Sequence, residues 1–187
     1  MRKEGIYKDS RHPVEVSWTN QVHEDLSRRD FTINAMAMNL LGNVLDPFNG
    51  AIDLNKKIIR AVGNPEKRFQ EDALRLMRAV RIATQLEFDI EKETLKAAIK
   101  NAHLIGEIAN DRIRDELLKI LGSMNPYIGI IKLREVGIIH LILPELEKCF
   151  GLVQEGPKHD RIYDIGEHSL LALKFTPSKD PLVRLAA

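Results

Sequence analysis

Glu71-Asp72-Ala73-Leu74-Arg75-Leu76-Met77-Arg78 is the most informative run of residues in the chain. At about 100° per residue, Ala73, Leu76, Met77, Val80 and Ala83 fall on one arc, as in a helix that buries a single face. Asp72, Arg75 and Arg68 fall on the neighbouring arc. Asp72 and Arg75 stand three positions apart, so on a continuous helix they emerge side by side. The pattern predicts a helix over 66–86, with Pro65 well placed to open it after the break Gly63-Asn64-Pro65. Downstream the texture stays helical, and helices are expected at 92–104, 111–122, 126–137, 140–149 and 163–175. Asn125-Pro126 and Gly137 mark two joints, 151–158 reads as a loop, and one more helix begins at Pro181.

Upstream the texture changes. Val14-Glu15-Val16-Ser17-Trp18 alternates apolar and polar, which reads as a strand. Asp30 or Thr32 is placed to cap a helix through Asn34-Ala35-Met36-Ala37-Met38, which Gly42-Asn43 ends. Val44-Leu45, Ile58-Ile59 and Ala61-Val62, separated by Pro47, Asn49 and Gly50, suit a two-stranded element joined by a loop. The fold class is therefore α+β, a small α/β piece over 1–62 followed by an all-α part.

Composition excludes several classes. The chain has 187 residues, 44% hydrophobic and 29% charged, so wholesale disorder is ruled out. No apolar run approaches the roughly 20 residues that span a bilayer. MRKEGIYKDS lacks the apolar core of a secretory signal. Cys149 is the single cysteine, which excludes an internal disulfide and a cysteine-based zinc site. A cytoplasmic, membrane-free setting is the expectation. The 28 basic and 27 acidic residues nearly cancel to +1, which by itself argues against a phosphate-coating surface. The distribution argues otherwise. From Lys56 to Arg81 there are eight basic residues (Lys56, Lys57, Arg60, Lys67, Arg68, Arg75, Arg78, Arg81) against Glu66, Glu71 and Asp72, a surplus of five positive charges.

Asp72 and Arg75 together have a chemistry. A carboxylate accepts hydrogen bonds and a guanidinium donates them in a planar fork. Cytosine and adenine each present an exocyclic amine beside a ring-nitrogen acceptor, which matches the pair. Guanine and uracil place a carbonyl oxygen where the amine should be. A mismatch costs about 1–3 kcal/mol per group, enough for tenfold discrimination. Arg75, Arg78 and Arg81 follow at steps of three and offer charge to a triphosphate. In Arg28-Arg29-Asp30-Phe31-Thr32-Ile33-Asn34, arginines next to a helix start suit phosphate, and Asp30 and Asn34 suit ribose hydroxyls. The plain alternatives are intrahelical ion pairs from Glu71 or Asp72 to Arg75, an N-cap at Asp30, and solvated surface arginines.

In combination these segments resemble a family. Arg28-Arg29-Asp30-Phe31-Thr32-Ile33-Asn34-Ala35 resembles the RRDFTxNA motif of class II CCA-adding tRNA nucleotidyltransferases and bacterial poly(A) polymerases. Asp46, Asp53-Leu54 and Arg60-Ala61-Val62-Gly63 resemble the hinge that follows. Phe69-Gln70-Glu71-Asp72-Ala73-Leu74-Arg75 and its continuation to Arg81 resemble the family's EDxxR nucleotide-reading helix. Asp111-Arg112-Ile113-Arg114-Asp115-Glu116-Leu117 resembles the later RIRxEL motif, and Tyr7-Lys8-Asp9-Ser10-Arg11-His12-Pro13 also fits. The resemblance implies the end of a nucleotidyltransferase head at 1–62, a nucleotide-reading neck at 63–124, and the start of a helical body at 125–187.

It also implies a function: untemplated addition of C and A to the tRNA 3′ end from CTP and ATP, with Asp72 and Arg75 as the template. Arg29, Arg78 and Arg81 would bind the nucleotide, Asp30 and Asn34 its ribose, while Arg112 and Glu116 would support the neck without touching it. The expected chemistry is a two-metal phosphoryl transfer, its magnesium ions held by an Asp-x-Asp pair after a Gly-Gly turn. This sequence contains neither element. The expectation is a chain that recognises nucleotides, lacks the metal-binding carboxylates, is inactive alone, and has either a truncated origin or a separate chain carrying the missing head. His168 resembles the first histidine of an HD-type metal domain, but its His-Asp partner is absent; His159-Asp160 precedes it, and no metal site is assigned. A poly(A) polymerase and a non-catalytic RNA-binding helical module are the alternatives.

Overall fold

The computed structural model describes residues 2–4, 16–18, 20–154 and 163–187. The 7–13 motif, Val14-Glu15 and His159-Asp160 lie outside the described residues. β1 (Arg2–Glu4) pairs antiparallel with β2 (Val16–Trp18), Arg2 opposite Trp18. Next come α1 (Val22–Ser27), a 3-10 turn (Thr32–Asn34), and an antiparallel ladder of β3 (Ala37–Met38) with β4 (Val44–Leu45). α2 (Gly50–Asn55) leads to β5 (Ile58–Ile59). α3 (Pro65–Glu71) and α4 (Leu74–Leu86) follow, then β6 (Asp89–Ile90) and α5 (Lys92–Asn101). A 3-10 segment (Ala102–Glu107) precedes α6 (Asn110–Leu121), α7 (Pro126–Glu135), α8 (Ile139–Ile142) and α9 (Pro144–Cys149). β7 (Val153–Gln154) pairs with β8 (Tyr163–Asp164), and α10 (Ile165–Phe175) and α11 (Pro181–Ala186) end the chain. The α+β class holds, a strand-bearing part followed by helices.

Local chemistry sets several boundaries. Asn64 caps α3 by accepting from the Lys67 amide at 3.0 Å, with Pro65 in the first turn where no amide is missed. Asp46 accepts from the amides of Gly50 and Ala51 at 2.7 and 2.9 Å and so anchors the start of α2. α4 presents the expected face: Ala73, Leu76, Met77, Val80 and Ala83 are fully buried.

Four expectations are corrected. The helix over 66–86 is two helices, because Asp72 leaves helical geometry (φ −149°, ψ 103°) and turns its carboxylate onto the Leu74 amide at 3.1 Å. The helix over 140–149 is likewise split at Leu143-Pro144, where proline offers no amide to continue the ladder. No helix forms through Asn34 to Met38; the 3-10 turn gives way to β3, and the cap position is Phe31. The two-stranded element is not built from neighbouring pieces either. Val44–Leu45 pairs back to β3, and Ile58–Ile59 runs parallel to β6, thirty residues on.

Burial explains that last pairing. Ile59 and Phe31 pack on Ala79, Ile82 and Ala83, so β5 is drawn to α4 and the segment that follows it. The same cluster fastens the strand-bearing part to α4. A larger cluster, running from Phe69 to Leu173, takes in residues of both 63–124 and 125–187. Arg184 of α11 is buried and donates to the carbonyls of Leu121 and Ser123 at 2.6 and 2.7 Å, which caps the end of α6. Among the described residues, no helix is long and apolar enough to cross a membrane.

Candidate functional site

A polar cleft of about 670 Å³ opens where the 28–34 segment faces the junction of α3 and α4. Arg28, Arg29, Asp30 and Asn34 form one wall, Asp72, Leu74, Arg75 and Arg78 the other, and Arg112 reaches in from α6. The walls are tied together by arginines. Arg75 donates to the Glu71 carboxylate at 2.9 Å, to the Arg68 carbonyl at 3.0 Å, and across the cleft to the Arg28 carbonyl at 3.1 Å. Arg78 donates through Nε to Asp30 Oδ2 at 2.8 Å and through Nη2 to the same oxygen.

Asp30 is buried, and burial alone would push its carboxyl towards neutrality. The Arg78 guanidinium outweighs this, helped by the Asn34 amide at 3.2 Å and the Phe31 amide at 2.9 Å, and holds its pKa below the ordinary carboxylate value. Asp72 has different partners. Its Oδ1 accepts from the Leu74 amide, and its Oδ2 from Arg112 Nη2 at 3.3 Å. The expected adjacency of Asp72 and Arg75 on a continuous helix is therefore replaced by shared residence in one cleft, each held by other groups.

Six of the expected nucleotide-binding residues meet here: Arg29, Asp30, Asn34, Asp72, Arg75 and Arg78. Arg81 does not. Each step of three along a helix falls about 60° short of a full turn, so Arg81 lies about 120° round from Arg75. Its Nε donates to Glu116 at 2.6 Å and its Nη1 to Gln85 at 2.8 Å. Glu116 is buried between Arg81 and Lys119. Arg112, expected as a support of the neck, lines the cleft and touches Asp72. Arg28, beside Arg29 in the same motif, lines the cleft as well. The contact of Arg112 with Asp72 has no local signal in its motif, because its reach depends on how α6 packs on α4.

Five guanidinium groups line the cleft with two carboxylates, and behind the walls Asp25 pairs with Arg28 and Arg29 and Glu71 with Arg75, so one positive charge is left over for an anion, with Asp72 as an acceptor for an amine. Asp30 and Asp72 do not fit a divalent cation, since each already faces an arginine. Among the described residues, no three His, Cys, Asp or Glu side chains come together as a ligand set. His168 is exposed on α10.

Known proteins share this arrangement of segments. Residues 1–60 match the family described as "Poly A polymerase head domain", and 87–150 match "Probable RNA and SrmB- binding site of polymerase A". A CCA-adding enzyme of Ligilactobacillus salivarius is 51% identical over 129 residues, 69% of this chain and 32% of the relative. The Bacillus stearothermophilus CCA-adding enzyme, solved with CTP, superposes with a TM-score of 0.65 at 43% identity, over 66% of this chain and 31% of that one. A tRNA nucleotidyltransferase solved with a primer tRNA and an incoming ATP analog gives 0.69 at 27% identity, over 90% of this chain and 50% of that one. The chain spans about a third of the length of the curated relatives it matches.

Proposed function

Because the chain belongs to the family of CCA-adding tRNA nucleotidyltransferases and bacterial poly(A) polymerases, we propose that it supplies the nucleotide-reading part of an enzyme that adds C and A to the tRNA 3′ end. The observation that carries this reading is the placing of Asp72 and Arg75 in one cleft with Arg28, Arg29, Arg78 and Arg112. The carboxylate accepts the exocyclic amine of cytosine or adenine, and a guanidinium N–H donates to the neighbouring ring nitrogen. The triphosphate lies against the remaining arginines. Asn34, whose amide also steadies Asp30, stands beside the ribose.

Phosphoryl transfer in this family is expected to use magnesium held by a pair of carboxylates. Asp30 and Asp72 are not that pair, and the role of this chain's cleft is to bind and select. The CCA-adding reading is preferred to a poly(A) polymerase because relatives at about 50% identity are CCA-adding enzymes and one such enzyme at 43% identity was solved with CTP. The test is the equilibrium binding of CTP, ATP, GTP and UTP to the 187-residue chain, with and without Asp72→Ala. CTP and ATP should bind about tenfold or more tightly than GTP and UTP, and Asp72→Ala should abolish the difference. A preference that survives the substitution overturns the reading.

A further inference from the structure

We propose that Arg112 is a specificity-determining residue of this cleft, a positioning group that fixes the orientation of the Asp72 carboxylate and thereby the base edges it accepts. The proposal rests on the reading of Asp72 as the base reader and adds to it a residue from a different helix. Asp72 sits in the extended link between α3 and α4, so neither helix dictates where its side chain points. One oxygen is fastened to the Leu74 amide, and a carboxylate held at one oxygen still turns about that bond. Arg112 Nη2, 3.3 Å from the other oxygen, removes that freedom.

Its own position is secured by the scaffold. Arg112 belongs to α6, which packs through buried Leu117, Ile120 and Leu121 into the same core cluster as Leu76 and Met77 of α4. The neighbouring guanidinium groups are already committed, Arg75 to Glu71 and two backbone carbonyls, and Arg78 to Asp30. Arg112 is different in a second respect. Its Nη1 is buried and has no hydrogen-bond partner among the described residues, although the side chain lines the cleft. Arg112 thus holds Asp72 with one nitrogen and keeps the other out of solvent.

The consequence is selective. With the carboxylate fixed, the remaining lone pair of Oδ2 faces the amine of cytosine or adenine and opposes the carbonyl oxygen of guanine or uracil. With the carboxylate free to turn, it avoids the carbonyl, and the distinction is lost. Affinity for the triphosphate itself depends on the cleft's other arginines and is largely kept.

Equilibrium binding of CTP, ATP, GTP and UTP to the 187-residue chain and to Arg112→Ala separates these effects. The expected result is a loss of about tenfold in the CTP-over-UTP ratio, with UTP affinity changed by less than about threefold. Millimolar guanidinium chloride should restore the ratio in Arg112→Ala and not in Asp72→Ala. Should Arg112→Ala not fold, Arg112→Gln, which keeps the inner carbons of the stem and a polar end but loses the charge, the fork and the reach, should show the same loss. Full discrimination in the Arg112 variants, alongside its loss in Asp72→Ala, overturns the proposal and leaves the reading of Asp72 intact. An equal fall in affinity for all four nucleotides also overturns it, since that is a role in folding or field alone. Absence of discrimination in the unsubstituted chain overturns the reading of Asp72, and this proposal with it.

Discussion

A carboxylate as buried as that of Asp30, 8% exposed, remains ionised only where its partners outweigh the water it has lost. Arg78, Asn34 and the Phe31 amide do so, and the net effect is a pKa below the ordinary value of 3.8. The sign of the linkage follows. A depressed carboxylate contributes stability that is fully present above its unfolded value and is lost as pH falls through its lower folded value. Replacing Asp30 by Asn keeps the shape but leaves Arg78 without its counter-charge. Arg78 is 35% exposed, so water takes over part of that role and the loss is less than for a fully buried pair. Asp30→Asn should therefore destabilise the fold by about 1–3 kcal/mol at pH 7. The difference from the unsubstituted chain should shrink as pH drops below about 4. Urea unfolding at pH 7 and pH 3 measures it, and a difference independent of pH would show that the pair's charge is not what stabilises this seam.

Three helices meet at Gly129, and their contact depends on its missing side chain. A Cβ built there lies 2.3 Å from Ile120 Cγ2 of α6 and 3.2 Å from Thr84 of α4. Ile120 is fully buried, and its Cγ2 sits one bond from Cβ, so it has little room to yield. Gly129→Ala should cost about 1–3 kcal/mol by overpacking, while Gly106→Ala, where a Cβ meets nothing within 4 Å, should be nearly neutral; denaturant unfolding compares them. Such contacts mark the limit of what the sequence discloses. The buried face of α4 was legible because burial along one helix follows its own 3.6-residue period. The break at Asp72 was not, since Glu71-Asp72-Ala73-Leu74 contains neither glycine nor proline; it arises from one carboxylate bonding the Leu74 amide and meeting Arg112. The pairing of β5 with β6 was hidden for a similar reason, as two-residue strands have no readable period and their partner is chosen by burial against Ile82 and Ala83. At the cleft, residues sharing a motif stand together, while the contact of Arg112 with Asp72, which depends on the packing of α6, cannot be read from its motif.

Charge in the whole molecule obeys a different rule from charge along the chain. The eight basic residues from Lys56 to Arg81 look like one positive stretch, yet Arg60 is answered by Asp53 and Glu91, Arg68 by Glu71, and Arg81 by Glu116. Of that stretch, Arg75 and Arg78 reach the cleft, where Arg28, Arg29 and Arg112 join them from distant parts of the sequence. Folding has answered part of one cluster and assembled another, and the net charge of +1 records neither. The assembled field acts on a triphosphate over a distance and is screened by salt, since the Debye length falls from about 10 Å at 0.1 M to about 3 Å at 1 M. Base selection as proposed at Asp72 would act by hydrogen bonds in contact, which salt at these concentrations scarcely alters. Raising the salt from 0.1 to 1 M should therefore weaken CTP and UTP binding by the same factor, roughly tenfold, and leave their ratio unchanged. Titrations of both nucleotides across that range measure the two quantities together. A ratio that collapses as salt rises would mean that selection is made by the cleft's field and not by the base edge at Asp72.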